Sequence, residues 1–286
     1  MLNALRDLMR PPAGMAFDFS EPKGEPALAP QDGVSWWVCS NPISLFVGGV
    51  AAVLLELAEP SVRSGVWNHS SFQRDPGTRL RRTGVAAMMT VYGPRSETEK
   101  LIAKVVRMHG HVSGATPDGV AYHANDPRLL DWVHATATFG FTQAYHTYVK
   151  PLSAAEKDTA FAEAEPSARL YGATGSPGSW AGWESMLAMT APGLEGSDIL
   201  ADFIRIMREA PILPGPMRWL QRLLVRAAVE IIPEPVRSLP QLRGCGLRLG
   251  EATLVRALAR VAAVLPLGDT PQVQAARRLA PPAGTK

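Results

Sequence analysis

Cysteine is almost missing from this chain. Cys39 and Cys245 are the only two, and they lie far apart. That argues against a disulfide framework or a paired-cysteine metal site and fits a reducing, cytoplasmic setting. Charge is also sparse, with 19% charged residues and a formal net charge of +3. Lysines and arginines are scattered among acids and form no dense run with interleaved aromatics, so nucleic acid is not an expected partner. The longest apolar run, from Ile43 to Leu57, is interrupted by Glu56. It falls short of the ~20 residues needed to cross a bilayer and reads as a buried helix. The first ten residues carry Asp7 and no continuous apolar stretch, so no export signal is expected there. Strand-like alternation and fixed-period repeats are nearly absent, which leaves helices. The Gly-rich stretches Gly48-Gly49 and Gly172-Ala-Thr-Gly175 lack dinucleotide or phosphate-loop spacing, and no HExxH or GxSxG occurs.

What is present is a strong helical pattern. With 46% hydrophobic residues in 286, one substantial core is expected. The expected organisation is an N-terminal arm over 1–33, broken by Pro and Gly, a helical domain over 34–232, and a C-terminal helical extension with a frayed tail over 233–286. Asn41-Pro42 starts a helix that runs through Leu57 to a break at Pro60. Thr78 is placed to cap a helix ending at Gly93-Pro94. Ser96 and Glu99 have capping-box spacing for a helix that ends near His109. Residues 111–125 form a loop with room for a short hairpin. Asp126-Pro127 opens a helix to Tyr148, Ser153 opens another to about Leu170, and further helices follow over 180–189, 196–208, 216–232 and 251–264. The fold class is all-α.

Several residues carry chemistry. A neutral imidazole at a helix end can ligate iron, and His109 stands at such an end, although a lone histidine there is more often a dipole partner or a hydrogen-bonded core residue. His111, two residues on, points to a nearly opposite face and cannot share the same iron. The apolar face of Leu101, Ile102, Val105 and Met108 directs His109 inward. Arg79 and Thr83, four apart, share a helix face that could hold an anion, while Arg79, Arg81 and Arg82 together would also suit a solvated face. Glu59, before Pro60, is a candidate acid or base and equally a helix-end acid; Glu56 ranks below it. Trp132, Phe139, Phe141 and Tyr148 offer aromatic surface, more often ordinary core.

The order of Gly48-Gly49, Gly65-Val-Trp-Asn-His-Ser-Ser-Phe72, Arg79-Leu-Arg-Arg-Thr83, Met108-His-Gly-His-Val-Ser-Gly114 and Trp132-Val-His-Ala135 resembles the catalytic domain of the MpaB and latex-clearing-protein (rubber oxygenase) family. The resemblance spans about Trp36 to Ala228. It implies a helical, distantly globin-like fold holding haem b. The family pattern of His, two residues, Val, one residue, Gly falls on His109, Val112 and Gly114, which makes His109 the iron ligand. The Arg, three residues, Thr pattern beside the haem falls on Arg79 and Thr83. Latex-clearing enzymes carry Lys just before that Thr; here it is Arg82, which keeps the charge and changes its shape. Glu59 stands where many relatives have His before Pro. His69 and His134 match family positions, with core hydrogen bonding as their role or, for His134, support of the cofactor. Relatives with assigned chemistry use dioxygen to cleave isoprenoid double bonds. The resemblance thus implies a haem b-dependent oxygenase acting on an apolar small molecule, with Arg79, Thr83 and Glu59 in catalysis and His109, Arg79, Arg82, Thr83 and His134 around the cofactor. The alternative is a haem-binding or gas-sensing protein without catalysis. Polyisoprene itself is not the expected substrate.

Overall fold

The computed structural model describes residues 17–265 and 268–281. The amphipathic stretch of the first ten residues therefore lies outside the described part. The fold is all-α: the described residues form thirteen α-helices and one two-stranded hairpin. In chain order these are α1 (Val34–Val38), α2 (Pro42–Ala58), α3 (Pro60–His69), α4 (Pro76–Tyr92), α5 (Arg95–His109), β1 (Ser113–Ala115), β2 (Ala121–His123), α6 (Pro127–Tyr148), α7 (Ala154–Tyr171), α8 (Trp180–Thr190), α9 (Asp198–Glu209), α10 (Arg218–Ile231), α11 (Glu234–Arg237), α12 (Glu251–Val264) and α13 (Pro271–Leu279).

The uninterrupted apolar sequence of α2 makes it the central rod. Val47, Val50, Ala51, Leu54, Leu55 and Ala58 are fully buried, with α6, α9, α10 and α12 packed around them. Asn41 caps it as expected, accepting from the N–H groups of Ile43 and Ser44 at 3.0 and 3.2 Å. The Asn41 amide also donates to the Ala259 carbonyl at 2.8 Å, which ties the start of α2 to α12. Glycine sets the approach of α2 to α6. A Cβ at Gly140 would stand 2.5 Å from the Gly48 carbonyl oxygen, and one at Gly48 would stand 2.7 Å from that of Gly140. The backbones touch because neither residue has a side chain.

Some helix starts differ from expectation. Pro60 both ends α2 and opens α3 across a 111° bend, a helix the sequence reading did not place. The cap of α4 is Asp75, whose carboxylate accepts from the Thr78 N–H at 3.1 Å; Thr78 is therefore the capped residue. The expected Ser96–Glu99 box does not form. The N–H and hydroxyl of Ser96 donate instead to Glu25 of the arm, a long-range acceptor that local spacing could not disclose. Ser153 and Glu156 do form a capping box at the start of α7.

The arm, described from Phe17, packs Phe19, Ala27, Leu28 and Ala29 into the structure. The C-terminal segment also returns to it: α13 packs on α4, and buried Arg278 donates to the carbonyls of Phe19, Glu25 and Tyr92 at 2.6, 2.8 and 2.9 Å. No single helix among the described residues is long and apolar enough to cross a membrane.

Candidate functional site

Two helices stand off from the core. α4 packs on α1, α5 and α13, and α5 packs on α4 and α7; neither makes an extended contact with α2 or α6. The C-terminal half of α4 is anchored by Val85, Met88, Met89 and Tyr92, which share a buried cluster with Trp36 and Tyr145. Its N-terminal half, with Arg79 and Thr83, is held more lightly, by the partly buried Leu80 against the main core. The sparse contact of α4 and α5 with α2 and α6 makes the space between these two pairs the candidate cleft; the cavities beside Phe17, Met89 and Glu97 and beside Glu230, Leu242 and Arg248 lie elsewhere.

Helical periodicity marks that cleft. On α2, Leu45, Gly49, Val53 and Glu56 remain partly accessible along a rod whose other faces are buried. On α6, His134, Ala137, Thr138 and Phe141 are likewise partly accessible, as are Asp131, Val133, Gln143, His146 and Thr147 nearer its ends. These spacings of three, four and seven place each set of four on one face. Small residues, one aromatic ring and two ionisable groups thus line the inner wall.

On the opposite wall, the Arg79 guanidinium donates to the Thr83 hydroxyl at 2.6 Å, and that hydroxyl donates to the Arg79 carbonyl at 3.1 Å. The expected shared face of Arg79 and Thr83 is therefore present. Arg82 points outward and is exposed; its charge still lowers the pKa of Arg79, after the larger effect of burial and against the opposing pull of Glu56.

Four ionisable groups meet across the cleft. Burial pushes the Glu56 carboxyl up to about 7, with the Arg79 charge pulling it back. Glu56 is crowded by protein yet keeps accessible surface, as expected of a group that lines a cleft. His109, the last residue of α5, is half-buried; burial, then Arg79, then His123, lower its pKa. His134 is held down to about 4 by burial and, secondarily, by His109. Both imidazoles are therefore biased toward the neutral form, the form that ligates metals. The Nδ1 of His109 is buried with no hydrogen-bond partner among the described residues. His134 packs on Tyr171 at the end of α7, ring centroids 4.9 Å apart, and burial raises the Tyr171 phenol to about 12.

Other candidates lie elsewhere. Glu59 is buried as the N-cap of α3: one oxygen accepts from the Val62 N–H at 2.7 Å and the other pairs with Arg128 at 3.1 Å. Both oxygens are committed to the scaffold, so the carboxylate that confronts Arg79 is Glu56. His69 is exposed and meets the Tyr122 hydroxyl at 3.2 Å, rather than entering the core. His111 is exposed beyond the helix end. Trp132 and Phe139 stack with Trp183 in the main core, at 5.6 and 4.8 Å, and only Phe141 of the aromatic set reaches the cleft. Sequence reasoning passed over Tyr171 and His123, which lie far from the recognised motifs and carry no local signal.

Among the described residues no three His, Cys, Asp or Glu side chains converge as a chelating set. A metal at His109 would need its remaining ligands from a cofactor or from solvent. Arg79 suits an anionic group, and the apolar stripe suits a flat or apolar one.

Comparison with known proteins places this architecture. The family model described as ER-bound oxygenase mpaB/B'/rubber oxygenase, catalytic domain, matches residues 36–264, from α1 to the end of α12. The chain is 25% identical over 177 residues to the protein named Uncharacterized protein Rv2237 of Mycobacterium tuberculosis, covering 59% of this chain and 68% of the relative. The same figures hold for Uncharacterized protein Mb2261 of Mycobacterium bovis. No solved structure matches. The family match takes in every element that lines the cleft, and by it this chain belongs to the mpaB and rubber oxygenase catalytic-domain family.

Proposed function

We propose that the protein is a haem b-dependent oxygenase acting on an apolar small molecule, an alkene or isoprenoid-derived compound, with His109 as the iron ligand. The observation that carries this reading is a half-buried imidazole, biased neutral and without a hydrogen-bond partner at Nδ1, with the Arg79 guanidinium near it on the same wall and the Glu56 carboxyl facing that guanidinium from α2. Haem, when bound, supplies the binding and activation of dioxygen.

The chain's own residues do the rest. Arg79 offers charge-assisted hydrogen bonds to a propionate or to an oxygen-derived anion, and Thr83 fixes the guanidinium that makes them. Glu56, with its carboxyl near 7, can take up or release a proton at an oxygen atom under neutral conditions, where an ordinary glutamate could only accept. His134, neutral and packed against Tyr171 with the rings tilted by 50°, keeps a second positive charge away from Arg79. Gly49, Val53, Ala137 and Phe141 provide an apolar wall that excludes water and receives an apolar substrate.

Absorption spectra of protein purified with haem supplied, ferric and then ferrous, test the assignment. Wild type should show a Soret band that His109→Ala loses or displaces, while Glu59→Gln leaves it in place. A well-folded wild type that takes up no haem would sink the reading. Haem uptake with no oxygen-dependent turnover of any alkene would leave a binding or sensing role in its place.

A further inference from the structure

The helix α12 is apolar on two faces. Val255, Ala259 and Ala262 are buried, on the side that packs on α2, α6 and α10. The opposite side carries Leu254, Ala257, Val261 and Val264, all exposed. Their spacing of three, seven and ten puts them in one stripe along the helix. Just before the helix, Leu249 projects with 106% relative exposure, and Val264 at the far end is 80% exposed. Nothing among the described residues covers this ridge.

Its flanks are cationic. Arg243, Arg248, Arg256 and Arg260 are exposed, and none has an ion-pair partner among the described residues. The only acid over residues 243–264 is Glu251, and its carboxylate is already held by Arg226 at 2.6 Å. Arg243 and Arg248 also line a cleft of about 430 Å³ between α10, α11 and the turn that leads into α12. That opening, lined as well by Glu230 and Arg237, which pair with each other at 3.9 Å, lies beside a protruding leucine and continues into an apolar ridge bordered by arginines.

We propose that the outer face of α12, with residues 243–250, docks the protein on an anionic lipid surface. The phosphate headgroups would meet the arginines, while Leu249, Leu254, Val261 and Val264 would enter the acyl boundary. The ridge is convex and its anchors stand free at both ends, a shape that a deformable lipid interface accommodates and a preformed protein groove would have to match. The proposal concerns a face away from the cleft and holds whether or not haem is bound.

Sedimentation of the full chain with phosphatidylcholine vesicles, with and without phosphatidylglycerol, tests it. Binding should require phosphatidylglycerol and weaken with salt. At about fivefold per arginine, the pair Arg256→Gln and Arg260→Gln should lower partitioning by roughly thirtyfold. Leu249→Ser should lower it as well, and all three substituted side chains are exposed, so circular dichroism should be unchanged. Failure of wild type to bind, equal binding to both vesicle types, or binding untouched by these variants would overturn the proposal. So would a dimer in solution that Val261→Glu dissociates without any vesicle binding, which would assign the face to a second copy of the chain.

Discussion

Replacing Gly48 by alanine should destabilise the protein, whereas the same change at Gly84 should stabilise it. Both glycines lie inside helices, where alanine is intrinsically preferred by about 0.5–1 kcal/mol. At Gly84 a new Cβ would meet nothing within 4 Å, so that preference should appear nearly undiminished. At Gly48 the Cβ would meet the Gly140 carbonyl oxygen at 2.7 Å and the Phe141 Cα at 2.8 Å. Both are backbone atoms, so no side chain can rotate away. Restoring a carbon–carbon separation near 3.5 Å requires α2 and α6 to part by roughly 0.7 Å, enough to forfeit a quarter to a half of each dispersion contact along the seam. Overpacking costs about 1–3 kcal/mol where relaxation is available; here it should reach the top of that range, leaving a net loss of about 2 kcal/mol. In a domain of this size that corresponds to a fall in Tm of about 4–8 °C. Thermal and urea unfolding of cofactor-free protein would measure both variants. Because α2 carries Glu56 and α6 carries His134, Gly48→Ala should also displace the Soret band expected under the proposed haem assignment. A Gly48→Ala protein as stable as Gly84→Ala would refute the claim that backbone contact sets this crossing.

Three further outcomes follow from the polar groups. Folding raises the Glu56 pKa to about 7, so the folded state disfavours its ionised form; stability is full below about 4.5 and declines as pH rises to 7, by up to about 3 kcal/mol. Glu56→Gln should abolish that decline, and parallel pH–stability curves for the two proteins would contradict it. Folding lowers the His134 pKa to about 4, so its contribution is full above about 6.5 and is lost as pH falls toward 4; His134→Gln should flatten this acid limb in urea titrations. Arg278→Leu should strand three carbonyl acceptors and cost about 3 kcal/mol or more, with faster proteolysis of the arm as the readout; unchanged cleavage would show that the arm is held by its apolar contacts alone.

Much of this fold is legible because it is written in local signals. Asn41-Pro42, Asp126-Pro127 and Ser153 each combine a capping side chain with a helix-starting residue, and each opens the helix expected. The failures share a cause. Ser96 has a capping-box partner nearby, yet Glu25, distant in sequence, takes its hydrogen bonds. The helix α13 is short, and its main fixture is Arg278, whose acceptors lie on the arm and at the end of α4. Arg79, Thr83 and His109 could be selected from motif spacing. The choice between Glu56 and Glu59 could not: both are acids near the end of one helix, and only the 111° bend at Pro60 turns Glu59 into a cap and leaves Glu56 facing Arg79.

The contrast between those two glutamates separates scaffold from site. Glu59 with Arg128, and Glu251 with Arg226, satisfy each other at 3.1 and 2.6 Å. Such neutralised pairs need no ligand to complete them. Glu56 and Arg79 form no ion pair with any described residue, although each is crowded by protein and perturbed mainly by burial. His109 adds a buried nitrogen without a partner, and His134 adds an imidazole held down to about 4. Keeping one buried imidazole nitrogen unpartnered beside three ionisable groups perturbed by burial costs stability that the rest of the fold must offset. Replacing any of them by an apolar residue of similar size should therefore stabilise the protein by itself while weakening its hold on the proposed haem, opposite signs that a purely structural polar cluster would not produce.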